Sequence, residues 1–152
     1  QPKPMQKLEF PEAVALIIAK NPRFQPEAYD FLRDALEYTI KLRKKRGEGV
    51  GHVSGQQLLE GVRQYALKQY GPMVPTVFSS WGVMCCEDFG EMVFSLVEVG
   101  AFGKTDRDSI EDFRGAYTFQ EAFIAPFLPD AAPATERPPA RGKPGALTRG
   151  VN

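Results

Sequence analysis

Cys85 and Cys86 are neighbours, and Glu87 and Asp88 follow them where a helix begins. A thiol at a helix N-terminus lies near the positive end of the dipole, which lowers its pKa and suits it to act as a nucleophile or a redox sensor. Small semi-buried side chains at a tight turn explain the same pair without any chemistry. Adjacent cysteines rarely bridge, because the disulfide strains the peptide between them. Both are therefore read as reduced thiols, and the compartment as cytoplasmic. His52, the single histidine, stands in the glycine-rich run GEGVGH. It has no histidine partner with which to hold a metal and reads as a solvent-facing or turn-shaping residue. Glu87, Asp88 and Glu91 cluster, but carboxylates complement the positive end of a helix, and a helix start is sufficient reason for them. The chain contains no Walker loop and no G-x-S-x-G elbow, and GEGVG lacks the dinucleotide fingerprint spacing. No catalytic residue, cofactor or metal ligand is expected; a thiol-based enzyme or redox sensor is the third reading of function.

The basic residues point elsewhere. Lys41, Arg43, Lys44, Lys45 and Arg46 crowd the end of one helix, and Arg137, Arg141, Lys143 and Arg149 are spread along the C-terminal segment. Cations favour a helix C-terminus through the dipole, so the first group is partly explained by its position. The formal net charge of the 152 residues is zero, so no global field favours nucleic acid or an anionic membrane. No apolar run approaches the roughly 20 residues that span a bilayer, and no signal peptide is legible after Gln1.

These groups have to be positioned by helices. The segment from Trp81 to Gly103 is the piece around which the chain packs: Phe89, Met92, Val93, Leu96 and Val97 make one apolar stripe, Cys86 takes the N-cap position, and Gly100 closes the helix. Cysteine is a poor cap acceptor, so other groups are expected to cap this end. Pro11 opens a short helix to Lys20 that is apolar on most sides and expected to be buried. Pro26 opens a longer one to about Arg46, with Ala28, Phe31, Leu32, Ala35, Leu36, Thr39 and Leu42 inward and Tyr29 and Tyr38 flanking. Ser54 and Gln57 form a capping box, with Val53 and Leu58 as its hydrophobic staple, and that helix ends at Gly71-Pro72. A short helix follows, with Val74, Val77, Phe78 and Trp81 inward and Gly82 as its stop. Beyond Gly100 the pattern predicts a small hairpin: a strand over 101–104, a turn through Thr105–Ser109 and a return strand over 110–117.

The order helix, short helix, helix, hairpin is that of a winged-helix domain. The predicted class is therefore mainly α (α+β), with five helices and a winged-helix-like C-terminal half over residues 10–125. An irregular segment, 1–9, precedes it. From Pro126 to Asn152 the chain is proline-rich and poor in large apolar groups, which predicts an extended tail that does not order itself.

Several long motifs, in order, resemble a family of conserved hypothetical proteins from planctomycetes and verrucomicrobia. They are AYDFLRDALEYT (28–39), HVSGQQLLEGVRQYALKQYGP (52–72), WG (81–82), EDFGEMVFSLVEVG (87–100) and EDF (111–113), covering roughly Phe10 to Phe123. The family shows Thr at the place of Cys86. The resemblance implies a compact bacterial domain and brings no activity, cofactor or catalytic residue with it.

The helix at 87–98 carries Glu87, Asp88, Glu91 and Glu98 and no Lys or Arg. In a winged helix that element enters the major groove, where its carboxylates would repel phosphates, so groove insertion is not expected. The tail carries four basic against two acidic residues in a neutral chain, which leaves the body net negative. An acidic helix–hairpin face with a basic, proline-rich arm suits a protein partner, because such arms bind at low ordering cost. The preferred reading is a non-catalytic accessory or adaptor subunit of a larger assembly. A nucleic-acid or ribonucleoprotein factor, using Lys41 to Arg46 and the basic tail, is the second reading.

Overall fold

The computed structural model describes residues 8–48, 53–103 and 110–129. Within them the fold is mainly helical: α1 (Phe10–Lys20), α2 (Pro26–Lys45), α3 (Gly55–Tyr70), α4 (Val74–Trp81) and α5 (Cys86–Glu98). Short 3-10 turns at Gly71–Met73, Ile110–Phe113 and Ala125–Phe127 and a π-helical turn at Gln120–Ile124 complete it. His52, residues 104–109 with the predicted turn Thr105–Ser109, residues 1–7 of the N-terminal segment and residues 130–152 of the tail lie outside the described residues.

The helix ends are fixed by local chemistry. At the start of α3 the Gln57 amide N–H donates to Ser54 Oγ at 3.1 Å, and the Ser54 N–H donates to Gln57 Oε1 at 2.9 Å, the reciprocal box expected there. Gly82 ends α4 in the left-handed region, at φ 87°. The Gly82 N–H then donates to the Ser79 carbonyl and the Val83 N–H to that of Phe78, which satisfies carbonyls the helix leaves open. Glycine is required at 82 a second time, because a Cβ there would lie 2.8 Å from the Arg23 carbonyl oxygen. The end of α5 repeats the motif, with Gly100 N–H to Val97 and Ala101 N–H to Leu96.

Helices α2 and α3 pack antiparallel. Thr39 meets Gly61 at one end and Phe31 meets Tyr65 and Tyr70 at the other. Ala28, Phe31, Leu32, Ala35 and Thr39 are buried as their spacing predicts; Leu36 and Leu42 are half-buried. Tyr29, expected on the flank, is buried too, its ring edge-on to Phe24 at 6.4 Å. The core is aromatic. Phe78 from α4 stands at its centre, with ring centroids 5.4 Å from Phe31, Phe89 and Phe123.

Three expectations change. α1 is not enclosed: it packs on α2 and α5, with Phe10 against Phe102, so Ala13, Val14 and Ile17 are buried while Leu16 stays 49% exposed. α5 begins one residue earlier than expected, with Cys85 as N-cap and Cys86 as its first, buried, residue. No side chain caps this end; the Asp88 carboxylate instead reaches back beyond the helix, its Oδ2 accepting the Met84 N–H at 2.7 Å.

The hairpin is the third correction. No strand is present among the described residues. The Ala101 and Phe102 N–H groups are spent on the Leu96 carbonyl, which takes both donors out of any ladder. Ile110–Phe113 forms a 3-10 turn in place of the return strand, and Gly115 at φ 68° bends the chain again. Phe113, Tyr117, Phe119 and Phe123, spaced four, two and four apart, reach the core from turns rather than from a strand. Thr118 and Glu121 form a further reciprocal box here, with the Glu121 N–H on Thr118 Oγ1 at 3.0 Å.

Candidate functional site

An apolar cleft of about 200 Å³ opens between α2, the start of α3 and α5. Leu36 and Ile40 form its α2 wall, on the shoulder of that helix next to the core stripe. Val53 and Leu58, the staple pair, form the α3 wall, and Val93 comes from α5. Phe102 and Phe113 close the remaining side. Phe113 is held by an edge-on contact with Phe94 at 6.4 Å, and it crowds Gly55, where an added Cβ would lie 2.9 Å from its ring. The Ser54 hydroxyl at the cleft's edge already accepts the Gln57 N–H. What the cleft offers a visitor is apolar contact. Leu36, Val93, the staple pair and Phe113 were legible as core candidates. Ile40 and Phe102 were not, because neither falls on a core stripe.

The structure divides the basic cluster. Arg43 pairs with Glu48 at 3.1 Å. Arg43 and Arg46 line a hollow of about 160 Å³ shared with Glu48 and Glu60. Hydrogen bonds from Arg63 and Gln64 hold the Glu60 carboxyl below the usual range, the Arg63 bond being the larger cause, and the charge of Arg46 helps. Those two arginines therefore face carboxylates. Lys41, Lys44 and Lys45 are exposed, and among the described residues no ion pair engages them. Arg137, Arg141, Lys143 and Arg149 lie outside the described residues.

The cysteines sit at the helix N-terminus the sequence predicts, but their surroundings reverse the effect of the dipole. Both are free. Cys86 is buried and its Sγ–H donates to the Tyr117 carbonyl at 3.3 Å; burial pushes the thiol up from 9.0 to about 11. Cys85 is raised as well, by partial burial of its thiol and by the charges of Asp88 and Glu87. Both thiols stay protonated at neutral pH, the opposite of an activated nucleophile. Cys85 borders a hollow of about 400 Å³ whose other polar side chains include Glu87 and Glu121. Maleimide labelling of the native protein should be slow at pH 7, with Cys85 reacting before Cys86. Because the folded pKa of Cys86 exceeds its unfolded value, its contribution to stability is complete below about pH 9 and declines as pH rises toward 11. Fast labelling of Cys86 at pH 7 would contradict this.

The acidic start of α5 serves the fold. Arg23, from the α1–α2 loop, donates to Asp88 Oδ1 at 2.8 Å and to Glu91 Oε1 at 2.6 Å. Asp88 is a buried carboxylate, and Arg23 together with the Met84 N–H occupies both of its oxygens. The clasp fixes the loop onto α5. The Tyr117 hydroxyl donates to the Leu59 carbonyl at 2.7 Å and ties the last segment to α3, and its burial raises the phenol pKa.

Among the described residues, no group of three His, Cys, Asp or Glu side chains stands close enough to hold a metal ion. No described helix is long and apolar enough to cross a membrane. Compared with protein-family models, curated proteins and solved structures, the chain shows no significant match to any of them.

Proposed function

We propose that this protein is a non-catalytic accessory or adaptor subunit that binds a protein partner through the α2–α3–α5 cleft, with its proline-rich tail lying along the same partner. The observation that carries the reading is the cleft itself: an open, apolar recess whose Ser54 hydroxyl is already engaged by the Gln57 N–H. At about 200 Å³ it falls below the roughly 300–1,000 Å³ of ordinary small-molecule pockets and suits one or two anchoring side chains. The raised thiol pKa values support binding over thiol chemistry. Two unbridged cysteines fit a cytoplasmic setting.

Ile40→Glu and Val93→Glu each place a charge on a half-buried wall of the cleft; Val93 also packs against the edge of the core. Each should abolish co-purification of the partner from the native cell while leaving the helical circular dichroism unchanged. Deletion of residues 130–152 should weaken the association without unfolding the body. Unchanged co-purification by both point variants would overturn the reading.

The exposed side chains of Lys41, Lys44 and Lys45 favour a second reading, a nucleic-acid or ribonucleoprotein factor. It requires binding that falls steeply between about 50 and 200 mM salt. α5 carries no Lys or Arg, so insertion of that helix into a groove forms no part of it. The absence of any gel retardation at low salt would remove this reading.

A further inference from the structure

We infer that the segment recognised by the cleft is an acidic amphipathic peptide, whose apolar side chains enter between Leu36, Ile40 and Val93 while its carboxylates meet Lys44 and Lys41. The inference rests on the adaptor reading above and adds the chemistry of the partner. Residues four apart on a helix share a face. Lys44 therefore continues the Leu36–Ile40 wall by one turn, and Lys41 flanks it. The cation at the other end of the same wall is already committed. Arg33 pairs with Asp34 at 3.3 Å and lies over the Phe10 ring at 4.7 Å, and Glu37 stands one turn before Lys41. Unmatched positive charge is thus concentrated at the 41–45 end, beside an apolar recess.

The same sign excludes two other occupants. The chain's own C-terminal segment carries four basic against two acidic residues and would meet like charge at the rim. A second copy docking face to face would oppose the same lysines across a two-fold axis. An acidic segment satisfies the rim and the basic tail together. Charge complementarity of this kind acts mostly on association rate and specificity, and apolar anchors supply the residence time.

The test uses the full chain and a display library of random peptides. Enriched peptides should combine Leu, Ile or Phe at helical spacing with Asp or Glu, and should bind in fluorescence polarisation with an affinity that falls as salt rises. Ile40→Glu should lower that affinity at least tenfold, and the double variant K41E/K44E about tenfold at low salt. An enriched peptide whose carboxylates are exchanged for lysines should regain binding to K41E/K44E. If enriched peptides carry no acidic bias, or if K41E/K44E binds them like the native chain while I40E does not, the acidic chemistry is wrong and the cleft reading survives. If no peptide is enriched, or if I40E leaves binding untouched, the cleft itself is not the docking site and both inferences fall.

Discussion

Replacing Gly61 by alanine is expected to destabilise the protein by about 2 kcal/mol, although alanine is the better helix former by about 1 kcal/mol. The reason is the crossing of α2 and α3. A Cβ at position 61 would stand 1.7 Å from Thr39 Oγ1 and 3.0 Å from Thr39 Cβ. The hydroxyl cannot swing away freely, because it is buried and donates to the Ala35 carbonyl at 2.8 Å. The helices must then separate or the hydroxyl must give up that bond. Overpacking of this kind costs about 1–3 kcal/mol and a lost buried hydrogen bond about 1 kcal/mol, against which the gain in propensity is set. Urea unfolding followed by circular dichroism measures the effect. The double variant G61A/T39G removes every atom in the way, so the pair should be strongly non-additive, recovering at least half of the loss due to Gly61→Ala. A neutral or stabilising Gly61→Ala would mean that the helices do not approach this closely.

A larger loss, about 3–5 kcal/mol, is expected for Phe78→Ala. Phe78 is 1% exposed and joins rings from four parts of the chain: Phe31 of α2, Trp81 of its own helix, Phe89 of α5, and Phe119 and Phe123 of the last segment. Its removal leaves a cavity that no single element collapses to fill. Small domains are stable by only about 5–15 kcal/mol, so this change brings the protein near its unfolding threshold. Amide exchange should accelerate most in 118–124, where Phe119 and Phe123 lose their central partner. Phe127→Ala, at a residue 46% exposed, serves as the control and should change stability by no more than about 0.5 kcal/mol. Equal effects of the two substitutions would contradict an aromatic core centred on Phe78.

Local rules carried much of the fold. The Ser54–Gln57 box, the glycine stops at 82 and 100 and the inward stripe of α2 depend on residues within a turn or two of each other, and their pattern is set without reference to a partner helix. The same logic applies to Thr118 and Glu121, just past the segment where the pattern predicts a return strand. The strand failed for a distant reason. With the Ala101 and Phe102 amides turned onto α5 and Phe113 drawn against Phe94, the segment finds its core partners through turns. The N-cap of α5 lies one residue earlier than the spacing predicts, and no side chain caps it: the Asp88 carboxylate is turned to the Met84 N–H and to Arg23 from the α1–α2 loop.

Cation spacing along α2 was legible in the sequence, but the sorting of those cations was not. Arg43 and Arg46 turn toward Glu48 and Glu60, whereas Lys41 and Lys44 are exposed, Lys44 one turn beyond Ile40, and that division depends on which face α3 covers. The thiols show the same dependence. A helix N-terminus by itself lowers a thiol pKa, yet burial under the Tyr117 segment raises Cys86 to about 11.

The sequence by itself determined where helices start, stop and turn an apolar side, because capping and periodicity act over a few residues. It also determined the charge of the tail and of α5. Only the tertiary structure decided which apolar shoulder stays uncovered, which cations keep a free charge and whether the cysteines ionise, because each of these depends on burial and on neighbours brought from far along the chain.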